Sequence, residues 1–519
     1  MKFFSGLSGS ALLASLLFLG SEAQAAERYQ SPIDLAERIR GWNIPRASAP
    51  HVMRRAPQQT TKKPHVAPKY LNDKTKQFYV NGSSIPEVDW DAGESYAGLI
   101  PISKKKDEDK KLFYWYWPTA PENPNDDELV IWFNGGPGCS SLEGFLQENG
   151  PIFWQWGTFA PVPNQYSWHY LTNMVWVEQP VGTGFSTGKP TATSSEEAAE
   201  QFLGFLENFI DTFDLHNKKI YVTGESYAGF YVPYVVDAMY RRDNKTYFDA
   251  RGLMIYNPVL TDEFVHVDVS VVPFVEKYEG LFGFSPKQMD QFRKQADECG
   301  YTEYLKNALS FPLQGKLPGN PGAGKKQDCK LWMRILNAAI EKNPCFNVYM
   351  IPTYCPLMSD PLGYPGTEPY LHPKAGIYFQ RPDVQQILHT EPTVWETCSG
   401  GILQDDTSTP STWEVLPRII PKNERTIISH GVLDYRLLTN GTILAIQNMT
   451  WNGQQGFQKK PTERFIVPYD KKGDLGIAHT ERGLTYVEVN LAGHMVPQFQ
   501  PSAAYFQLEF LLGRKKKLI

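Results

Sequence analysis

The stretch that decides the fold is residues 220–229, Ile220-Tyr221-Val222-Thr223-Gly224-Glu225-Ser226-Tyr227-Ala228-Gly229. Its first three residues are typical of a buried strand, and a helical pattern follows from about Gly229 to Arg242. A serine on such a turn projects from the end of a sheet, beside a helix N-terminus that favours negative charge. The usual pattern places Gly two residues after the serine, where this chain has the small Ala228. Taken alone, Ser226 could equally be a helix N-cap.

Two later segments carry residues that would act with Ser226. Asp434 follows an apolar run that ends at Ser429, and His494 follows one that ends at Val489. Serine, then Asp, then His is the chain order of α/β-hydrolase triads, and α/β sheets keep their active sites at the carboxyl ends of parallel strands. The serine needs a base, and the base needs a carboxylate that orients it. His430 is the rival base, but it precedes Asp434 and would break this order.

A glycine-rich loop, Gly135-Gly136-Pro137-Gly138, follows the apolar run Leu129-Val130-Ile131-Trp132-Phe133. Glycine lets backbone N–H groups approach a developing oxyanion, and losing one such donor typically costs about 10²–10³ in rate. Considered alone, the same four residues are simply a turn. In this order along the chain, the loop indicates an oxyanion hole.

Two glutamates, Glu225 and Glu148, indicate the kind of substrate. A carboxylate beside the nucleophile would stabilise an oxyanion poorly, but it could hold a substrate carboxylate through a shared proton. Paired carboxyl groups raise one another's pKa, so such a site works best in mild acid. Asn134 and Trp132 could complete this pocket. For Glu148 the alternative of an ordinary surface glutamate is strong.

Strand and helix patterns alternate along most of the chain. They predict an α/β-hydrolase fold, with a mostly parallel central sheet, helices on both faces and a disulfide-containing cap insertion at about 262–373. Ser194 and Glu197 form a predicted capping box. The turn-rich segment 118–127 predicts a hairpin or a loop between strands. The predicted strands and helices are Leu129–Phe133, Met174–Val177, Ile220–Val222, Leu253–Tyr256, Thr426–Ser429, Phe465–Val467, Tyr486–Val489 and the helices that begin near Ser194, Gly229 and Ser502.

The two ends of the chain differ from the catalytic part. Residues 1–25 are predicted to be a signal peptide, with Lys2, a short apolar core and Ala23-Gln24-Ala25 as cleavage site. The apolar core is too short for a membrane anchor. Residues 26–68 are predicted to be a disordered leader or a propeptide of a zymogen, and the sequence does not separate the two. The catalytic domain then covers 69–513, and 514–519 is a basic, solvated tail.

Composition excludes several classes of function. The formal net charge of −5 does not indicate nucleic-acid binding. No later apolar run is long enough to span a membrane. No metal-ligand spacing appears, and we expect no cofactor. Residues 319–326 nearly match a phosphate loop, but Lys326 stands where Ser or Thr should be.

An exported chain with six Cys can form three disulfides, in any of about 15 pairings. It also carries four N-glycosylation sequons, at Asn81, Asn244, Asn440 and Asn448. We therefore expect a secreted, extracellular glycoprotein, with a vacuolar location as the alternative. The sequence predicts no oligomeric state.

The chain closely resembles the serine carboxypeptidase family over nearly all of 70–512, and the leader resembles the secreted fungal, carboxypeptidase S1-like branch. The matching segments are Trp132-Phe133-Asn134-Gly135-Gly136-Pro137-Gly138-Cys139-Ser140-Ser141, Val177-Glu178-Gln179-Pro180-Val181-Gly182-Thr183-Gly184-Phe185-Ser186, Gly224-Glu225-Ser226-Tyr227-Ala228-Gly229 and Gly493-His494-Met495-Val496-Pro497. One departure is Val432, where the family often has an Asp two residues before its triad Asp.

The resemblance implies a role for each matching residue. Ser226 would be the nucleophile, His494 the base and acid, and Asp434 its orienter. The N–H groups of Gly136 and Tyr227 would form the oxyanion hole. Residues Trp132, Asn134, Glu148 and Glu225 would bind the substrate carboxylate, and Met495 would line the pocket for the departing residue. The implied disulfides are Cys139–Cys398 and, as a guess, Cys299–Cys329 and Cys345–Cys355.

We therefore expect a secreted exopeptidase that releases single C-terminal residues from peptides with a free C-terminal carboxylate, through an acyl-enzyme at acidic pH. Three alternatives use the same features. Acyl transfer shares the acyl-enzyme, and a non-catalytic binding protein could keep the fold. A lipase is disfavoured because lipid esters offer the glutamates no carboxylate.

Overall fold

Eleven strands of the described part of the chain form one mixed sheet. The computed structural model describes residues 67–518 except 122, 124, 159, 326–327 and 364–375. The predicted signal peptide and nearly all of the predicted leader lie outside these residues. The strands are β1 Tyr79–Asn81, β2 Glu94–Pro101, β3 Lys111–Trp117, β4 Glu128–Phe133, β5 Ile152–Phe153, β6 Val162–Pro163, β7 Asn173–Glu178, β8 Lys219–Glu225, β9 Asp249–Tyr256, β10 Arg425–Gly431, β11 Thr450–Trp451, β12 Gln454–Gln455, β13 Glu463–Ile466, β14 Asp474–Glu481 and β15 Leu484–Val489.

Helices cover the sheet and build the insertion. The α-helices are Leu142–Gly144, Ser195–Phe213, Ala228–Arg242, Lys245–Phe248, Glu263–His266, Val271–Lys277, Glu279–Phe282, Pro286–Cys299, Tyr301–Ala308, Leu331–Lys342, Pro382–Ile387, Val415–Ile419, Thr439–Asn448, Val496–Phe499 and Pro501–Leu511. Short 3₁₀ turns occur at Lys76–Phe78, Trp168–Tyr170 and Tyr378–Gln380, and Phe145–Asn149 forms a π-helical turn. No described helix has the length and apolar character that crossing a membrane requires.

The centre of the sheet consists of six parallel strands, β7-β4-β8-β9-β10-β15. All six residues of β4 are buried, as expected for a strand covered on both faces. The predicted α/β-hydrolase fold is therefore confirmed. Antiparallel strands extend the sheet at both ends, β3, β2 and β1 beside β7 and β14 and β13 beside β15.

The hairpin alternative for residues 118–127 is wrong. Strand β3 pairs with β2 and β7, whereas β4 pairs with β7 and β8. Strand β7 thus lies between the two strands that the segment connects, and the segment is a loop. The predicted capping box is half formed, because Ser194 Oγ accepts from Glu197 N at 3.2 Å but the Glu197 carboxylate binds Thr193.

The insertion region builds a core of its own against the loop that carries Asp434. Six helices lie between Glu263 and Lys342, within the described part of the predicted insertion. Trp332 Nε1 donates to Tyr435 O at 2.7 Å, and the Tyr435 hydroxyl donates to Trp332 O at 3.0 Å. These bonds attach the insertion to Tyr435, the residue that directly follows Asp434. The limits of the insertion and of the domain as a whole remain our prediction.

All six cysteines are paired, as Cys139–Cys398, Cys299–Cys329 and Cys345–Cys355. The first is the pair that the family resemblance implies, and the other two are the pairs that we suggested within the insertion.

The predicted basic tail is not wholly solvated. Arg514 forms an ion pair with the buried Glu128 at the start of β4. Lys515 lies 3.4 Å from Glu509 in the last helix.

Candidate active site

Ser226 lies on a sharp turn between β8 and the helix Ala228–Arg242. Its φ of 60° is left-handed, a conformation that non-glycine residues rarely adopt and that clusters at active sites. Ser226 N donates to Tyr256 O at 2.9 Å, and Val259 N donates to Ser226 O at 2.9 Å. A Cβ at Gly229 would lie 2.1 Å from Val259 O. Glycine is therefore needed at 229 in this chain, one position later than in the usual pattern.

The side chains of His494 and Asp434 meet beyond the carboxyl ends of β15 and β10. His494 Nδ1 lies 2.7 Å from Asp434 Oδ2, and both side chains are buried. The other carboxylate oxygen, Oδ1, accepts from the backbone N of Arg436 at 2.7 Å and of Leu437 at 3.2 Å. A carboxylate in this position can hold a proton on Nδ1, which would leave the Nε2 atom of His494 to act as a base.

Asn257 also binds Asp434, a contact that the sequence did not predict. Its Nδ2 donates to Asp434 Oδ2 at 2.7 Å, and its Oδ1 accepts from Gly431 N at 3.1 Å. Asn257 follows β9, the strand that pairs with β10, so its amide ties the end of β9 to the end of β10 and to Asp434. A lone Asn after a strand gives no sequence signal for this role.

The insertion also reaches His494. Tyr349 O accepts from His494 N at 2.7 Å, and the two rings lie 5.0 Å apart, edge to face. A Cβ at Gly493 would lie 2.1 Å from Tyr349 O. The glycine before the histidine is thus required for this close approach.

His430, the rival base, is an interior side chain. Its Nδ1 lies 2.9 Å from Thr442 Oγ1 and its Nε2 lies 2.9 Å from Leu437 O. Both ring nitrogens are therefore occupied. Burial lowers the pKa of His430 to about 4, in spite of the nearby Asp434. Its geometry does not fit a base for Ser226.

The glycine-rich loop packs directly against the serine turn. A Cβ at Gly135 would lie 2.4 Å from Tyr227 N and 2.8 Å from Ser226 Cβ. Gly136 and Gly138 have φ of 110° and 85°, which favour glycine. The backbone of the loop therefore approaches Tyr227, the residue after Ser226, an arrangement that would suit two converging oxyanion donors.

Trp132, Asn134 and Glu225 form a buried chain of hydrogen bonds beside Ser226. Trp132 Nε1 donates to Asn134 Oδ1 at 2.7 Å, and Asn134 Nδ2 donates to Glu225 Oε1 at 2.9 Å. Gly144 N also donates to Asn134 Oδ1, at 3.1 Å. These donors fix the orientation of the Asn134 amide.

Glu148 lies in the π-helical turn and is only 1% exposed, so the surface alternative is wrong for this residue. Both of its carboxylate oxygens and Glu225 Oε2 are buried, and the Glu148 carboxyl group interacts with the side chains of Glu225 and Asn134. Two carboxyl groups can bond to each other only through a proton, and such a bond favours the protonated form of Glu225 and the ionised form of Glu148. Burial raises the pKa of both well above the usual range; the charge of Glu143 adds to the effect on Glu148, and the charge of Glu148 adds to the effect on Glu225.

Two further buried carboxyl groups adjoin this pair, and the sequence did not predict either. Asn134 Nδ2 lies 3.5 Å from Glu143 Oε2, and burial together with Asp360 raises the pKa of Glu143 to about 8. Burial likewise raises the pKa of Asp360 to about 7, although Gln147 Nε2 and Leu362 N donate to it. In a sequence these residues resemble surface acids.

Met495, the last predicted site residue, directly follows His494 and is 8% exposed, at the N-terminus of the helix Val496–Phe499. Within the described residues, no group of three or more His, Cys, Asp and Glu is placed to hold a metal ion.

Comparisons with known proteins identify the family of this chain. A family model described as serine carboxypeptidase matches residues 86–513. A probable serine carboxypeptidase of Arthroderma benhamiae is 52% identical over 467 residues, covering 86% of this chain and 88% of that protein. Serine-type carboxypeptidase F of Aspergillus niger is 43% identical over 477 residues, covering 86% and 89%.

A solved structure shows the same fold. The crystal structure of a prohormone-processing carboxypeptidase from Saccharomyces cerevisiae has a TM-score of 0.67, is 23% identical, and the match covers 85% of this chain and 96% of that one. The family match and the fungal relatives show the activity: this chain belongs to the serine carboxypeptidase family and is a serine-type exopeptidase that releases C-terminal residues from peptides.

Proposed function

We propose that Ser226, His494 and Asp434 are the catalytic triad, and that the protein recognises a free C-terminal carboxylate in mild acid. The observation that carries this proposal is the buried Glu225–Glu148 pair directly beside Ser226. A triad alone is compatible with any acyl transfer, whereas buried carboxyl groups next to the nucleophile suit a substrate that is itself a carboxylate.

In the proposed reaction, Ser226 Oγ attacks the scissile carbonyl and gives its proton to His494 Nε2. The N–H groups of Gly136 and Tyr227 bind the oxyanion of the tetrahedral intermediate. His494 then protonates the leaving amine, and the C–N bond breaks to leave an acyl-serine. Water enters with the same histidine as base, and the breakdown of the second intermediate returns the proton to Ser226.

The same pocket would select exopeptidase cleavage. In mild acid the Glu225–Glu148 pair keeps at least one proton, which can bond to the substrate carboxylate. Asn134, held by Trp132, would provide an amide edge to the same group, and Met495 an apolar wall for the departing side chain. As pH rises through the raised pKa of the pair, its charge grows and repels the substrate. We therefore expect KM to rise with pH.

The cellular location of the protein is less closely defined than its activity. The three disulfides and the fungal carboxypeptidase relatives fit a secretory or vacuolar route. We propose secretion to the exterior, with glycans at the exposed Asn81 and Asn244. Asn440 and Asn448 are half-buried and are weaker acceptors. A zymogen form that depends on residues 26–68 remains part of the proposal.

The test compares an N-blocked dipeptide with its C-terminal amide between pH 4 and pH 8. We expect the parent protein to release the C-terminal residue from the acid in preference to the amide, with the lowest KM in acid. Ser226→Ala should abolish release. Glu148→Gln should raise KM for the acid and reduce the preference for acid over amide, whereas Glu391→Gln, at an exposed glutamate, should change neither.

Two results would contradict the proposal. Retention of full activity by Ser226→Ala would remove Ser226 as nucleophile. Equal cleavage of the dipeptide and its C-terminal amide by the parent protein would show that the glutamate pair does not recognise a free carboxylate.

A further inference from the structure

A buried carboxylate, Asp406, binds the side chain of the residue that follows the nucleophile. Asp406 is 6% exposed, and its Oδ2 accepts from the Tyr227 hydroxyl at 2.5 Å and from Ser195 Oγ at 2.6 Å. Its Oδ1 accepts from Ser408 N at 2.8 Å and from Ser195 N at 3.2 Å. Asp406 thus receives four hydrogen bonds, and one of them fixes Tyr227.

These contacts hold the carboxylate firmly. Ser195 opens the 19-residue helix Ser195–Phe213, so Asp406 lies at a helix N-terminus, where a negative charge is favoured. The Tyr227 ring also stacks on Phe230, with ring centroids 5.1 Å apart. Burial and the neighbouring Asp406 raise the pKa of Tyr227 well above its usual range, so its hydroxyl keeps the proton that it donates.

The other end of the same segment holds the glycine-rich loop. Thr397 O accepts from Ser140 N at 2.8 Å, and Ser399 N donates to Gly138 O at 2.8 Å. The disulfide Cys139–Cys398 lies between these two bonds. Residues 397–406, which we call the anchor segment, therefore bind the glycine-rich loop at one end and Tyr227 at the other.

We propose that Asp406 is a positioning residue for the oxyanion hole, and that the anchor segment sets the spacing between its two donors. The proposal rests on the proposed roles of Gly136 and Tyr227. Tyr227 carries one donor on its backbone N–H, so a side chain fixed at its hydroxyl limits rotation of that N–H. The loop that carries the other donor is fixed to the same ten residues.

Tyr227→Phe tests the proposal most cleanly, because it removes only the hydroxyl. The helix offers a matched control: Tyr234 lies seven residues further on, and its hydroxyl donates to Thr409 O at 2.7 Å, in the loop just beyond the anchor segment. Complete loss of an oxyanion donor costs about 10²–10³ in rate, so we expect a misaligned donor to cost about tenfold. We expect Tyr227→Phe to lower kcat by about that factor with KM little changed, and Tyr234→Phe to leave kcat unchanged.

Two further measurements separate positioning from stability. A peptide aldehyde forms an oxyanion with Ser226, so Tyr227→Phe should weaken binding of the aldehyde by the same factor by which it lowers kcat/KM. A dicarboxylic product analogue should bind the variant as tightly as it binds the parent protein. Asp406→Asn should also lower kcat, and the double variant Tyr227→Phe with Asp406→Asn should be little worse than either single variant, because both act through one contact.

The outcomes also separate this inference from the proposed function. If Tyr227→Phe keeps the parent kcat while Ser226→Ala is inactive, Asp406 is a structural residue only and this inference is overturned. Loss of stability without loss of kcat in both tyrosine variants would overturn it in the same way. An active Ser226→Ala would instead overturn the proposed function.

Discussion

Glu178, at the end of β7, provides a quantitative prediction about stability and pH. Its side chain is fully buried and accepts from Phe185 N at 2.5 Å, from Trp395 Nε1 at 3.2 Å and from Ser140 Oγ. A Cβ at Gly184 would lie 2.1 Å from Glu178 Oε1, so the loop closes tightly over the carboxyl group. Burial raises the pKa of Glu178 from 4.5 to about 7, although the three donors act in the opposite direction.

The sign and size of the effect follow from linkage. Below pH 4.5 the carboxyl is protonated in both the folded and the unfolded chain and contributes no pH dependence. Between pH 4.5 and about 7 the unfolded chain loses the proton while the folded chain keeps it, so stability falls as pH rises. At 1.36 kcal/mol for each pH unit, the loss amounts to about 3 kcal/mol and is constant above pH 7.

The perturbation is Glu178→Gln, which keeps the shape of the side chain and removes its ionisation. The free energy of unfolding is measured by urea denaturation with tryptophan fluorescence at several pH values from 4 to 8. Any effect of the amide on the free energy of unfolding that does not depend on pH shifts the whole stability curve of the variant equally. We therefore expect the free energy of unfolding of the variant, relative to that of the parent, to increase by about 3 kcal/mol between pH 4.5 and pH 7.

Glu391→Gln is the control, because Glu391 is exposed and its replacement should leave the pH dependence of the parent unchanged. Parallel stability curves for the parent and Glu178→Gln would refute the reasoning, since they would show that Glu178 titrates alike in the folded and unfolded chains.

Three further predictions concern the site and its supports. Asn257→Ala removes a buried hydrogen bond to the side chain of Asp434, worth about 1.5–3 kcal/mol, and should lower kcat at least tenfold with KM little changed, as steady-state kinetics would show. Replacing both Cys139 and Cys398 by Ser opens a link across 259 residues, and chain entropy predicts a loss of about 5 kcal/mol in denaturant unfolding. Gly135→Ala would place a methyl group 2.4 Å from the nitrogen that follows the nucleophile, and labelling by a serine-directed phosphonate should slow sharply.

The parallel strands could be predicted from the sequence because each is buried on both faces. The runs within β4, β7, β8 and β9 are apolar without interruption, and those within β10 and β15 are mainly apolar although Glu488 interrupts the last; this signal needs no knowledge of the neighbours. Since active-site loops follow such strands, the positions of Ser226, Asp434 and His494 could be predicted with them.

The edges of the sheet could not be predicted in the same way. Strand β14 alternates buried and exposed positions irregularly and includes Gly476 with φ of 144°, so neither a continuous run nor a clear period of two appears. The hairpin alternative failed for a related reason. Which strand lies beside β3 is decided by pairing with β7, more than 55 residues later, and local patterns do not contain that information.

The buried acidic residues show most clearly what could not be predicted from the sequence alone. Glu148 and Glu143 are polar residues in a short segment, and nothing local reveals that the π-helical turn and the insertion exclude water from both. Asn257 and Tyr349 act through contacts with Asp434 and His494 that are distant in the chain. Their roles depend on the assembled fold, whereas the triad depends on local strand ends.

Burial raises the pKa of Glu178 and of the Glu148–Glu225 pair in the same direction, but the consequences differ. Every such group makes the folded protein less stable as pH rises. For the pair beside Ser226 this loss would accompany the proposed recognition of a carboxylate, because the retained proton is what the substrate would bind. For Glu178 the proton contacts only the protein. Replacing Glu178 should therefore weaken the pH dependence of stability and leave that of KM intact, whereas replacing Glu148 should alter both, so that acid stability and acid recognition are separable properties of this fold.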